Sequence, residues 1–435
     1  MRRFPISICF FAVLIATESC LNSALGQEET KQTVAMSQDV FERLQQAQSL
    51  IESKQYAGGQ AILETLRAKP KLSAYETAQL WNLSGYAYYL QNKYADAIGA
   101  YKNVLAQSEV PEAIIQSTLK TLSQLYFTIE DYPSALNTVK RLMNAIAEPS
   151  ADVYMLLGQA YFQLKEYKQA IAPLTTAVGK YRSQGKQPRE NWLLLLRVCY
   201  SELAQYKPMI SVLKELITHY PKAQYVLTLA GVYSELGDTK KQLALTEALY
   251  ESGHLTSTQH VVNLANLYIL HGVPYKAAKI LQNQIDKQML PTDVRNLRLL
   301  SQSWYEAREE KKAIAPLLRA AALSGDGELY VRLAQAYINL DRWQEAADAA
   351  QHGLDKGGVK RVDVANIMLG MALFNQRKLS AARQAFSIAS RDKRSRKAAS
   401  QWIAYVDSES NRSESLEQTM PEKQASEQDE ILRNL

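Results

Sequence analysis

The chain is dominated by segments in which apolar residues recur at intervals of three and four residues. This spacing places apolar side chains on one face of a helix, so each segment is predicted to be an amphipathic helix. The segments come in pairs, and a short polar turn separates the two members of each pair. The pattern therefore predicts a succession of helical hairpins.

The hairpins repeat at intervals of 33 to 39 residues. In one common frame, ten units begin at Val40, Ala78, Gln116, Ala151, Glu190, Ala223, Thr258, Val294, Gly327 and Asp363. A small residue stands at the eighth position of most units, as at Gly85, Gly158 and Gly370, and an alanine usually stands at the twentieth. These positions are predicted to let the two helices approach closely. Because one hairpin cannot bury its own apolar face, the units are expected to stack.

The spacing Trp81-x-x-Ser84-Gly85-x-x-Tyr88, repeated between Tyr154 and Tyr161, resembles the signature of tetratricopeptide repeats. The resemblance covers roughly residues 40–395. It implies an all-α fold, a right-handed superhelical solenoid of about ten helix pairs, closed by a capping helix over residues 396–407. The sixth unit has a glutamine at the alanine position, which suggests an irregular repeat or a hinge over residues 223–257.

Composition agrees with a helical array. The chain contains 18 glycines and 13 prolines among 435 residues, fewer turn-forming residues than an all-β sandwich or barrel needs. Its 25 tyrosines outnumber 8 phenylalanines and 5 tryptophans, which suggests that one aromatic residue recurs at a fixed position of the repeat. The net charge of +6 is too small to indicate a nucleic-acid partner.

Residues 1–26 are predicted to be a secretory signal peptide, followed by a lead-in over residues 27–39. Two arginines precede a short apolar core, and Ala24 and Gly26 occupy the small-residue positions of a cleavage site. No other stretch is apolar for the length that a membrane span needs. In a minor alternative, Cys20 is acylated and anchors the chain to a lipid bilayer, although the residues before it form a poor acylation motif.

Charge is distributed unevenly near the C-terminus. Residues 391–397 hold five cations around one aspartate. Residues 408–435 contain three cations against seven acids, a net charge of −4, and are predicted to be a disordered acidic tail. The basic run is open to two interpretations. It is either a solvated face that interacts loosely with this tail, or a surface that favours an acidic partner or an anionic membrane.

The first part of the array resembles a narrower group of proteins. Residues 70–76, 81–89 and 125–132 are similar to exported repeat proteins associated with the TonB–ExbB–ExbD energy-transduction systems of gammaproteobacteria. That family is implicated in TonB-dependent uptake of iron compounds. The resemblance implies a periplasmic scaffold whose partners are TonB, ExbB or ExbD-type components or an outer-membrane transporter. The alternative is an adaptor in outer-membrane assembly or polysaccharide export.

The sequence contains no motif that indicates catalysis. Its five histidines lack the spacing of metal ligands, and it has no phosphate-binding loop, dinucleotide fingerprint or nucleophile elbow. Cys199 falls on an inward helix face and is interpreted as a small core residue. We therefore expect no enzymatic activity, no cofactor and no metal.

A partner-binding surface is expected on the first helices, because the resemblance implies that these line the concave face. An amide at position nine can bond a peptide backbone, and an aromatic ring at position twelve can cover its side chains. The predicted site residues are Asn82, Tyr86, Tyr89, Lys120, Gln124, Phe127, Gln159, Phe162, Arg295, Arg298, Gln302 and Tyr305. The competing interpretation is that the polar residues are merely solvated and the rings belong partly to the core.

Overall fold

The chain folds into helices joined by short turns. The computed structural model describes residues 36–433, with side chains described for residues 36–415, and this part of the chain contains 21 helices and no strand. The predicted signal peptide, Cys20 and most of the predicted lead-in lie outside the described residues. The predicted all-α class is confirmed.

The helices divide into two compact units, with the boundary in the sequence between Gln184 and Gly185. The first unit contains α1 (Gln38–Glu52), α2 (Tyr56–Arg67), α3 (Ala74–Leu90), α4 (Tyr94–Leu105), α5 (Glu112–Thr128), α6 (Tyr132–Asn144), α7 (Ala151–Gln163) and α8 (Tyr167–Ser183). The second contains α9 (Glu190–Glu202), α10 (Tyr206–His219), α11 (Ala223–Glu235), α12 (Thr239–Glu251), α13 (Thr258–Leu270), α14 (Pro274–Asp286), α15 (Val294–Glu306), α16 (Glu310–Leu323), α17 (Glu328–Asn339), α18 (Trp343–Lys356), α19 (Val362–Asn375), α20 (Leu379–Ala389) and α21 (Arg396–Arg433). Within each unit every helix packs on the next along the chain, as the predicted solenoid of helix pairs requires.

The turn inside each helix pair has the same backbone geometry in all ten pairs of the described chain. One residue adopts a left-handed φ, and the following N–H donates to the carbonyl five residues earlier. The Lys93 N–H reaches the Tyr88 carbonyl at 3.0 Å in this way. The left-handed residues are Lys54, Asn92, Glu130, Lys165, Ala204, Gly237, Gly272, Arg308, Asp341 and Arg377. One repeated turn confirms the ten repeated units.

We expect Ala204→Gly to stabilise the second unit by about 1 kcal/mol, because glycine adopts a left-handed φ without the Cβ clash. Ala204 has a φ of 51° and is exposed, so the substitution removes no packing. Chemical denaturation followed by circular dichroism measures the change. The control is Ala244→Gly, at an exposed position inside α12, which should lower the stability by about 0.5–1 kcal/mol. A loss of stability in both variants would contradict the expectation.

Three helical glycines lie where the two helices of a pair touch, as the sequence predicts. A Cβ atom placed at Gly85, Gly158 or Gly370 would meet a side chain of the second helix at less than 3.0 Å. The contacting side chains are Tyr101, Leu174 and Phe386, at 2.9, 2.5 and 2.7 Å. The absence of a side chain at these positions therefore sets how closely the helices approach.

The sixth helix pair is regular. Its helices α11 and α12 pack on each other, and the Asp238 N–H donates to the Tyr233 carbonyl at 2.9 Å, as in the other pairs. Gln242, at the alanine position, is half-buried without interrupting α12. The boundary between the two units falls between α8 and α9 rather than in this pair.

The last helix differs from the prediction in length. Its first turns cover the final pair, because Val406 is buried and the Trp402 ring stacks on Phe386 with centroids 5.3 Å apart. Instead of ending near residue 407, α21 continues to Arg433. The segment from residue 408 onward, predicted to be a disordered acidic tail, is therefore helical as far as Arg433. That segment has no glycine and is rich in Glu, Gln and Ser. Glu and Gln favour a helix, and Pro421 is its one strong helix breaker.

Candidate functional site

In the first unit, the predicted site residues lie on three first helices, α3, α5 and α7. Lys120 is exposed, and Asn82, Tyr86, Tyr89, Gln124, Gln159 and Phe162 are half-buried. Tyr89 and Phe127 contribute to one apolar cluster, so the structure brings α3 and α5 together at this point. The half-buried positions offer part of each side chain to solvent and part to the neighbouring helices.

The aromatic residues at position twelve contact the tyrosine that begins the second helix of the same pair. The ring centroids are 6.1 Å apart for Tyr89 and Tyr94, 6.3 Å for Phe127 and Tyr132, and 5.7 Å for Phe162 and Tyr167. Such tilted and edge-on arrangements stabilise aromatic pairs. These rings therefore help to close the turn inside each pair.

Phe127 does not serve the role predicted for it. The residue is only 7% exposed and packs in a cluster that includes Ala135 and Ala160. Because its ring is buried between α5 and the neighbouring helices, Phe127 cannot cover a ligand side chain. The prediction placed position twelve on the concave face. In α5 the buried ring agrees instead with the competing interpretation, that these rings belong partly to the core.

In the second unit, the predicted residues form an exposed row on α15. Arg295, Arg298, Gln302 and Tyr305 follow one another at intervals of three, four and three residues, and all four are exposed. Tyr305 shows 47% of its surface to solvent. The opposite face of α15 is buried through Leu297, Leu300 and Trp304, so the helix is fixed while its outer face stays open. The structure therefore brings these four residues together.

The row on α15 carries positive charge. The guanidinium groups of Arg295 and Arg298 form no ion pair with a carboxylate within residues 36–415. Gln302 Nε2 donates to Glu306 Oε1 at 2.9 Å, which leaves the amide oxygen of Gln302 to accept from a partner. A guanidinium binds a carboxylate through two parallel hydrogen bonds. The row is thus suited to an acidic segment in extended conformation.

The second unit also contains a pocket that the sequence did not predict. It lies between α14 and α16, has a volume of about 400 Å³, and is lined by Tyr275, Lys279, Gln282, Trp304, Lys312, Ala315 and Pro316. The Tyr275 and Trp304 rings meet edge to face at 5.7 Å, and Lys312 Nζ lies 4.9 Å from the Trp304 ring centre. The sequence feature that could have indicated this pocket is Tyr275, an aromatic residue on α14, the second helix of its pair, where its side chain faces solvent.

The described residues contain one cysteine, Cys199. Cys199 is buried, and burial raises the pKa of its thiol to about 11, so it is held as a neutral thiol. This agrees with its interpretation as a core residue. Between residues 36 and 415, no group of three His, Cys, Asp or Glu side chains could hold a metal ion. No helix in the described part of the chain combines the length and apolarity needed to cross a membrane.

Two protein-family models match the first four helix pairs. Residues 44–110 match the family described as tetratricopeptide repeat. The chain carries tetratricopeptide repeats. Residues 90–177 match the model of anaphase-promoting complex, cyclosome, subunit 3. The tetratricopeptide turn continues with the same hydrogen bond through the remaining six pairs, which the family matches do not reach.

Several solved tetratricopeptide structures are similar to parts of the chain. YrrB, described as having an unusual peptide-binding site, is 16% identical over 39% of this chain and 83% of its own, with a TM-score of 0.33. A tetratricopeptide protein of Parabacteroides merdae is 16% identical over 60% of this chain and 99% of its own, with a TM-score of 0.32. The TPR2AB domain of yeast Sti1, in complex with pHSP90, is 15% identical over 67% and 98%, with a TM-score of 0.32. No curated protein is similar to the chain at a significant level.

Tetratricopeptide arrays are scaffolds for protein–protein interaction, because stacked repeats present an extended surface rather than an enclosed catalytic cleft. The family matches indicate no enzyme. Among the predicted site residues, the row on α15 is the most exposed set.

Proposed function

We propose that the protein is a non-catalytic scaffold that holds an extended acidic segment of a partner protein on the row formed by Arg295, Arg298, Gln302 and Tyr305. The observation that supports this proposal is the joint exposure of all four side chains on one face of a helix whose other face is buried. The two guanidinium groups select carboxylates, the amide bonds a peptide backbone, and the tyrosine ring covers an apolar side chain.

The finer part of the proposal concerns the partner. We propose that the scaffold works in the periplasm as an accessory of TonB-dependent energy transduction and uptake of iron compounds. Its support is the similarity of residues 70–76, 81–89 and 125–132 to exported repeat proteins of that system, together with the export signal predicted over residues 1–26. The acidic segment would then belong to a TonB, ExbB or ExbD-type component or to an outer-membrane transporter.

Site-specific photocrosslinking in intact cells tests both parts. A photoreactive residue at Gln302 or Tyr305 is expected to crosslink a component of the TonB system, and the same residue at Ser211, exposed on the second helix α10, is expected not to do so. An absence of crosslinks at Gln302 and Tyr305 would contradict the binding row. Crosslinks to a protein of outer-membrane assembly or polysaccharide export would retain the row and refute the TonB assignment.

The variant with Arg298→Ala, Gln302→Ala and Tyr305→Ala is expected to reduce partner capture at least about tenfold, because few central residues carry most of an interface's binding energy. The measurement is a pull-down of the crosslinked partner, quantified against wild type, with helical content checked by circular dichroism. The matched control carries Lys207→Ala, Ser211→Ala and Lys214→Ala, three exposed residues at the intervals four and three on α10. Equal capture by the two variants would refute the proposed site.

A further inference from the structure

A buried carboxylate joins two loops near the end of the second unit. Asp363, in the first turn of α19, is buried and accepts hydrogen bonds from Arg361 Nη2 at 2.7 Å and Ser395 Oγ at 2.6 Å. Arg394 Nη2 lies 3.8 Å from the same carboxylate and pairs with Asp392 at 2.7 Å. The loop before α19 and the loop between α20 and α21 are therefore held side by side.

The two joined loops expose a concentration of cations, which we call the basic edge. It consists of Lys360, Arg361, Arg391, Lys393, Arg394, Arg396 and Lys397, all of which are exposed. The same segments contain two acids, Asp363 and Asp392, so the edge carries a net charge of +5. The neighbouring loop adds Asp326 and Glu328, which reduce this charge to +3. The acids within the edge serve to hold its loops together.

Two exposed apolar side chains lie among these cations. Val362 is 49% exposed and directly follows Arg361 at the start of α19. Ile388 is 39% exposed, and its carbonyl accepts a hydrogen bond from the Arg391 N–H at 3.2 Å. Cations interleaved with exposed apolar groups are typical of surfaces that lie on a bilayer, where charge meets headgroups and apolar atoms enter the interface.

Three cations of the basic edge take no part in joining the loops, so their side chains are not held in one direction. Arg391, Lys393 and Lys397 form no ion pair with a carboxylate anywhere in residues 36–415, so each side chain can reach a different anion. This arrangement suits a continuous layer of lipid phosphates, which needs no matched shape, better than one partner segment of fixed geometry. We propose that the basic edge docks the protein on an anionic lipid surface.

Cosedimentation of the full mature chain with vesicles tests this docking. The protein is expected to bind vesicles of phosphatidylcholine that contain phosphatidylglycerol and not vesicles of phosphatidylcholine alone, and binding should weaken as salt is added. Each exposed cation near such a surface contributes about fivefold in affinity, so Arg391→Gln, Lys393→Gln, Arg396→Gln and Lys397→Gln together should weaken binding about 600-fold. None of these four side chains bonds to Asp363, so the loops keep their anchor.

The matched control removes the same number of charges elsewhere in the second unit, through Lys207→Gln, Lys214→Gln, Lys240→Gln and Lys311→Gln, all at exposed positions. Binding of this control should stay within about fivefold of wild type. An equal loss in both variants would show that only net charge matters and would overturn the proposal. Binding to polyglutamate without binding to anionic vesicles would overturn it in favour of an acidic protein partner. Circular dichroism of each variant confirms that the helices are retained.

Discussion

Gly158→Ala and Leu174→Ala are each expected to lower the stability of the first unit. The loss of stability in the double variant should be smaller than the sum of the two single losses. A Cβ at residue 158 would lie 2.5 Å from Leu174 Cγ, so the first change overpacks the contact between α7 and α8, at a cost of about 1–3 kcal/mol. Leu174 is fully buried, and its truncation should cost about 3–5 kcal/mol through lost contacts and a cavity. In the double variant the methyl group at residue 158 enters that cavity, which gives an interaction energy of about 1–2 kcal/mol.

Urea denaturation followed by circular dichroism gives the four stabilities of this cycle. The control is Gly179→Ala, at an exposed glycine inside α8 where a Cβ would contact nothing within 4 Å. It should raise the stability by about 0.5–1 kcal/mol, because alanine favours the helix. Additivity of Gly158→Ala and Leu174→Ala, within about 0.5 kcal/mol, would show that the two positions do not share the contact.

The repeat and its close contacts could be predicted from the sequence because they depend on residue size at fixed positions. Gly158 and Gly370 stand where only a hydrogen atom fits, and their spacing to Leu174 and Phe386 is the same in both units. The left-handed turn residues were harder to predict, since eight of the ten in the described chain are not glycine. Their conformation is imposed by the hydrogen bond across the turn and by the packing of the two helices, which outweigh local preference.

The candidate site could be predicted only in part. The row from Arg295 to Tyr305 follows from helical periodicity alone, and the structure exposes all four members. The burial of Phe127 could not be predicted in this way. Phe127 and Tyr305 occupy the same position of the repeat, but that position faces the core in α5 and solvent in α15. The pocket at Tyr275 and Trp304 depends on how α14, α15 and α16 lie together, and the sequence pattern of one helix does not report that.

The first unit also contains a carboxylate that joins the starts of two helices. Glu76 is buried in the first turn of α3, and its Oε1 accepts hydrogen bonds from the Ser37 N–H at 2.9 Å and the Ser37 hydroxyl at 2.7 Å. Its Oε2 accepts from the Ser73 N–H at 2.8 Å, and Ser73 Oγ accepts from the Glu76 N–H at 3.1 Å, which completes a capping box. Burial alone would raise the pKa of Glu76, but these hydrogen bonds outweigh it and lower the pKa to about 2.

Glu76→Gln is therefore expected to lower the free energy of unfolding of the first unit by about 2–3 kcal/mol at pH 7. Because the pKa of Glu76 is lower in the folded chain than its ordinary value of 4.5, its stabilising contribution is complete above pH 4.5 and is lost as the pH falls towards 2. The stability difference between wild type and variant should shrink over that window in denaturation curves measured at successive pH values. Glu64→Gln, at an exposed position on α2, should change the stability by less than about 0.5 kcal/mol. A difference between wild type and Glu76→Gln that stays constant from pH 7 to pH 2 would refute the role of the ionised carboxylate.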